Sequence, residues 1–235
     1  SIFFPFIMSV ALIFQAFITL LLVALFWIVL RKNLSIINQT HTELIESNRI
    51  VRNYELFKNI LIRQRSLKVT PHAFSNHSST IPKVVITAII SPMCNPCKAT
   101  FKNLFALYQQ YHDILQVNIV IKTNIELNDK ALNTFYKNLE VIYNDEGFLA
   151  FMEALNDWFQ TQDLTLCNTQ NHREGSFEKA EERLNALNDW CVLQGYSFTP
   201  VLFIQNYQLP HMYESHHITH FMEDIKEDDS FNLTH

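Results

Sequence analysis

The chain has no basic patch of note, which removes the electrostatic footprint that a DNA- or RNA-binding protein needs. Repeats and low-complexity segments are also missing. A hydrophobic content of 48% with a net charge of only -5 excludes a disordered chain. Charge is absent altogether from residues 2–30, IFFPFIMSVALIFQAFITLLLVALFWIVL, and Arg31 and Lys32 end that run. The run in turn lacks the basic n-region, short h-region and small-residue cleavage site of a signal peptide. It exceeds the ~20 apolar residues that cross a bilayer core, so residues 1–32 are read as a transmembrane helix. Trp27 sits near one end, where an interfacial aromatic is expected. A buried core helix of this length would show a polar face, and none is present. The chain opens on Ser rather than Met and is expected to be a piece of something longer with earlier membrane helices.

Residues 33–79 read as a helical connector and loop. Ile50, Tyr54, Phe57 and Leu61 form an apolar stripe at helical spacing, expected to pack lightly on the next domain. The stretch TPHAFSNHSSTIPK, residues 70–83, has the Pro, Ser, Asn and Thr content of a loop, so a separate unit is expected from about residue 80 to 235. Its elements come in an informative order. A β-branched run at Val84–Ile90 leads into SPMCNPCKAT and an amphipathic stretch to about His112, and a second β run, VNIVIK, occupies 117–122. That is a βαβ unit, so the fold class is α/β. A helix-rich region spans about 128–194, with Phe148, Phe151, Met152, Leu155, Trp158 and Phe159, then Ala180, Leu184, Leu187 and Cys191, at core spacing; Trp158 and Trp190 are read as core, the alternative being that either lines a groove beside the cysteines. A third β run, PVLFIQN at 200–206, precedes a turn at YQLP and a short helix around His216–Ile225.

The chemistry concentrates in CNPC. A strand running into a helix places Cys94 at the helix N-terminus, where unpaired amides and the helix dipole favour a thiolate and lower a cysteine pKa into the ~3.5–7.5 range. Cys97 lies three residues on, on the same helix face and within disulfide reach. Pro96 fits the first helical turn and restrains Asn95. The geometry is that of a redox dithiol, with Cys94 attacking and Cys97 resolving. The same spacing supplies half of many zinc sites, but Cys167 and Cys191 are 24 residues apart and offer no second ligand pair. Copper is suggested by Met93 beside Cys94 and by ten histidines, yet His211, His216, His217, His220 and His235 gather at the C-terminus, where a solvated surface explains them. No metal ligand is assigned.

The β run, CNPC at a helix start, a helical insertion and then FTPVLFIQNYQLP resemble the thioredoxin superfamily, and the long insertion its DsbA-like branch. More closely, ALNDWF, LNALNDWCVLQGYSFTPVLFIQNYQLP and Tyr213 resemble the thioredoxin-like domain that follows the membrane bundle in bacterial vitamin K epoxide reductase family fusions. The likeness covers about residues 45–225. It implies a thioredoxin-like domain with its insertion at about 128–194, and thiol–disulfide exchange with protein thiols. It also implies a quinone-linked membrane redox partner or a preceding membrane domain, with no organic cofactor bound in this domain. Pro200, after Thr199, matches the family's cis-proline, and Thr199, Pro200, Asn95, Pro96 and Met93 would shape the substrate groove. Two departures stand out: Ala88 occupies the position where many thioredoxins carry a buried acid, and Met93 replaces an aromatic residue. Without that acid, proton transfer from Cys97 must rely on water or another group.

Cys167 and Cys191 admit two readings, a second disulfide in an oxidising compartment or a free loop thiol and a buried apolar side chain. Localisation carries a conflict. Arg31, Lys32, Arg49, Arg52 and Lys58 follow the span, and the positive-inside tendency would place them in the cytoplasm. The redox reading instead puts the thioredoxin-like domain outside a bacterial inner membrane. We adopt the latter, because preceding helices often decide orientation. The competing functions are a non-catalytic peptide-binding module and a copper- or zinc-binding protein.

Overall fold

The computed structural model describes residue 15 and residues 17–34, 51–67, 73–76, 82–124, 126, 130–163 and 176–232. The chain divides into two units, residues 1–51 and 52–235. The first contains helix α1, Phe17–Leu34, long and apolar enough to cross a membrane by length and composition. At 1.5 Å per residue it spans about 27 Å, close to the ~30 Å hydrocarbon core.

The second unit starts well before residue 80. Helix α2, Tyr54–Leu61, is capped by Asn53, whose side chain accepts from the Leu56 amide at 3.0 Å. Instead of packing lightly, it buries Phe57 and Leu61 completely. The Phe57 ring stacks on Phe221 at 4.1 Å and meets the edge of Tyr213 at 5.0 Å. The apolar stripe is thus a core seam rather than a light contact. Ile50, the first residue of that stripe, lies outside the described residues.

Five strands form one mixed sheet. Strand β2, Val84–Ile90, is central, parallel to β3, Leu115–Ile121, and antiparallel to β4, Val201–Ile204. All of β2 except Val85 is buried, so both faces of the sheet are covered, which explains a continuous apolar run in place of alternation. Two short edge strands were not legible in the sequence. Strand β1, Phe74–Ser75, pairs with β3 inside the stretch that reads as loop. Phe74 stacks on Phe151 at 4.5 Å and is fully buried. Strand β5, Tyr207–Gln208, follows a two-residue turn in which Gln205 and Asn206 take φ of 48° and 71°. The turn therefore falls at Gln205–Asn206 rather than YQLP. Gln205 is held there by its side chain, which accepts from the Val85 amide and donates to the Lys83 carbonyl. The strand order across the sheet is β1-β3-β2-β4-β5.

Helix α3, Asn95–Tyr111, joins β2 to β3. The insertion consists of α4, Lys130–Glu146; α5, Phe148–Thr161; and α6, Ser176–Leu193. Gly147 breaks α4 from α5 at φ 92°, a conformation that L side chains rarely adopt. The expected core residues of α5 and α6, including Trp158 and Trp190, are all buried. Arg183 fastens the insertion to the sheet edge. It donates to Glu140 Oε1 and to the Ala73 carbonyl, both at 2.9 Å, and lies over the Phe74 ring at 4.3 Å. The C-terminal segment comprises a 3₁₀ helix, Ser215–Phe221, then α7, Met222–Glu227, and α8, Asp229–Asn232.

Candidate active site

Strand β2 ends at Ile90, and the chain turns through Ser91-Pro92-Met93 into α3. Cys94 is the N-cap residue, with extended backbone angles, and its amide donates to the Ser91 carbonyl at 2.9 Å. Pro96 occupies the first helical turn as expected, since an amide hydrogen there would have no intrahelical partner. Cys94 is half-buried and Cys97 completely buried, and both are thiols in this structure.

The two sulfurs sit in opposite electrostatic settings. Partial burial opposes ionisation of Cys94, but hydrogen bonds from the Thr199 side chain and from the Cys97 thiol and amide outweigh it and hold the thiol below its ordinary value. Burial pushes Cys97 up to about 12, against the pull of the Ser91 amide and the Thr199 hydroxyl, with the Cys94 sulfur adding to the rise. Cys94 also donates to the Thr199 carbonyl at 3.2 Å. The Thr199–Pro200 peptide is cis, as the resemblance implies. The arrangement presents one ionisable sulfur and keeps its neighbour protonated behind it.

A groove of about 490 Å³ opens beside the dithiol, walled by Pro96 and Asn103 of α3, by Phe198 and Pro200, and by Pro210 and Tyr213. Of the expected groove residues, Pro96 and Pro200 line it. Thr199 bonds the sulfurs instead, while Met93 and Asn95 are exposed and do not line this groove. Trp158, read as core, has a further contact. Its indole N–H donates to the Pro92 carbonyl at 3.0 Å, so the insertion holds the turn that carries Cys94.

Cys167 lies outside the described residues, and the second disulfide rests on it. Cys191 is a completely buried free thiol, which burial pushes up to about 11 despite nearby Lys122. Among the described residues no three His, Cys, Asp or Glu side chains gather as a metal site. His211, His216 and His220 are exposed, and His235 lies outside the described residues.

Solved structures match this fold over most of their length. Oxidised BdbD from Bacillus subtilis superposes with a TM-score of 0.52 at 12% identity, covering 70% of this chain and 99% of that one. The fold is the DsbA-like thioredoxin fold. The Wolbachia pipientis thiol-disulfide exchange protein alpha-DsbA2 gives 0.50 at 12%, covering 78% and 97%, and alpha-DsbA1 of the same organism 0.51 at 14%, covering 68% and 94%. No family model and no curated protein sequence matches. The functional groups that sequence reasoning missed, the Ser91 carbonyl and the Trp158 indole as a support of the Cys94 turn, carry no motif spacing; only the end of β2 and the packed insertion bring them to that turn.

Proposed function

We propose that this protein is a membrane-anchored thiol–disulfide oxidoreductase that exchanges disulfides with protein thiols through Cys94 and Cys97. The observation that carries this reading is the asymmetry of the pair, an ionisable, half-exposed Cys94 backed by a buried, protonated Cys97. In reduction of a substrate disulfide, the Cys94 thiolate attacks one sulfur, forms a mixed disulfide and expels the other as a thiolate. Cys97 then loses its proton, attacks Cys94 Sγ, and releases the second substrate sulfur as a thiol. The protein ends oxidised at Cys94–Cys97 and the substrate reduced by two electrons; the reverse sequence oxidises a substrate. The adjoining groove is suited to the peptide around the scissile disulfide.

Helix α1 would anchor the domain on the extracytoplasmic side of a bacterial inner membrane. There a vitamin K epoxide reductase-like membrane partner, linked to quinone, would reset the dithiol. The resemblance in sequence and the apolar helix support this, and α1 supplies no sulfur of its own.

The test is the reduction potential of the Cys94/Cys97 couple, by equilibration against glutathione with mass spectrometry of trapped thiols. A value near ~-120 mV makes the protein a disulfide donor, and one near ~-270 mV a reductant. The absence of reversible exchange would defeat the proposal. Trapping adds a second criterion: Cys97→Ser should accumulate mixed disulfides with substrates and Cys94→Ser should not. Equal capture by both would mark a peptide-binding module instead.

A further inference from the structure

The stretch ESHHITHF, residues 214–221, holds three histidines that the dithiol chemistry does not use. Its first residues, Glu214, Ser215 and His216, line the groove beside the dithiol together with Tyr213. Ile218 and Phe221 bury the far end of the segment, Phe221 against Phe57 of α2, whereas Glu214 at the groove is exposed and is held by polar contacts. Asn103 of α3 donates to Ser215 Oγ at 2.8 Å. Half-buried His217 closes both backbone groups of Glu214: its amide donates to the Glu214 carbonyl at 3.0 Å, and its Nδ1 accepts from the Glu214 amide at 2.9 Å. An N–H aimed at Nδ1 needs a bare nitrogen there, so the imidazole is neutral with its proton on Nε2. An imidazolium has donors at both nitrogens and cannot accept that bond.

We propose that neutral His217 is a positioning residue for the peptide groove: it holds the Glu214–His216 wall in place, and its protonation releases that wall and weakens capture of peptide disulfides. The inference rests on the exchange reading given above. Burial and the charges of His216, His220 and Arg52 hold His217 below its ordinary value, against the pull of Glu214. The release therefore falls below the ~6.5 of an exposed histidine. The ring of His216 lies 3.9 Å from that of His217 and the ring of His220 6.4 Å from it, so each added proton repels the next. His216 Nδ1 is 3.3 Å from Glu214 Oε2, and a charged His216 strengthens that pair, yet the Glu214 amide still loses its acceptor. The remaining neighbours carry no charge in this range: Tyr213, edge-on to His217 at 6.2 Å, has its phenol raised by burial, and α3 brings the amide of Asn103.

The experiment oxidises the reduced full chain, in detergent, with two probes from about pH 8 to about pH 5. One is oxidised glutathione. The other is a disulfide-linked dimer of an apolar peptide with blocked termini and no Asp, Glu or His, matched to the Pro96, Phe198, Pro200 and Leu209 lining of the groove. Each reaction leaves a Cys94–Cys97 disulfide and two probe thiols, read by acid quench and mass spectrometry. Both probes meet the same Cys94 thiolate, so its titration cancels in the ratio of the peptide rate constant to the glutathione one. In the wild type that ratio should fall about fivefold on acidification, the fold-change of one ordinary hydrogen bond. His217→Asn puts an acceptor oxygen in place of Nδ1 that does not titrate, and should keep the ratio high throughout. His217→Leu should show the low ratio already at neutral pH, and His216→Gln should retain the acid fall. A flat wild-type ratio, a fall that persists in His217→Asn, or one that disappears in His216→Gln would overturn the proposal. Failure of both probes to oxidise the wild-type chain at any pH would sink the exchange reading itself, whereas oxidation by both at a constant ratio defeats only the positioning role.

Discussion

The start of α3 and the interior of α6 each bury a cysteine completely, yet only one of those sulfurs is surrounded by donors. Cys97 faces the Ser91 amide and the Thr199 hydroxyl, with Cys94 beside it at the surface. Cys191 has desolvation, with only the charge of Lys122 opposing it. The difference shows that burial by itself yields an inert, apolar sulfur. A redox couple needs a strand that ends at a helix start, so that free amides and a neighbouring loop can reach both sulfurs.

The comparison breaks most visibly in activity. Cys94→Ser should reduce catalysed exchange with a disulfide-bonded peptide to the uncatalysed background, whereas Cys191→Ser should retain it; loss of exchange in both would erase the distinction. In stability, the largest effect should come from Arg183, which ties the insertion to the sheet edge. Arg183→Ala leaves Glu140 charged and buried without its partner and should cost about 3–5 kcal/mol in urea unfolding. Trp158→Phe is expected to be milder. It leaves the Pro92 carbonyl unpaired and should cost about 1–3 kcal/mol by the same measurement, with exchange slowed because the Cys94 turn loosens.

The smallest effect concerns pH. Cys191 keeps its proton up to about 11 in the fold, whereas an exposed thiol in the unfolded chain loses it near ~8.5. Between those values the folded state holds more protons, so stability falls as pH rises through the window. Cys191→Val should flatten that alkaline loss in pH-dependent unfolding, and an unchanged slope would show that Cys191 is not its source.

Much of the fold was legible in the sequence for a physical reason. The β2–dithiol–α3 segment carries its own local signals, an apolar β-branched run, a proline in the first turn and cysteines on one helix face. The Phe148–Phe159 stripe announces its buried side by periodicity alone. The missed features depend on distant partners. Phe74 sits among loop-forming residues and becomes a strand only because β3 offers an edge. Glu140 and Asn138 look like solvent-facing positions of α4, and Arg183 together with the packed insertion makes Glu140 interior. Trp158 carries no motif either, and only the packed insertion brings its indole to the Pro92 carbonyl.

The most direct test of the account is the pH dependence of alkylation at each cysteine of the folded chain, read peptide by peptide by mass spectrometry after reduction. Hydrogen bonds to its sulfur hold Cys94 below its ordinary value, so Cys94 should react first, with a midpoint below the ~8.5 of a free thiol. Cys97 and Cys191 should stay unmodified until well above it. A Cys94 midpoint at or above ~8.5, or Cys97 or Cys191 reacting first, would contradict the account.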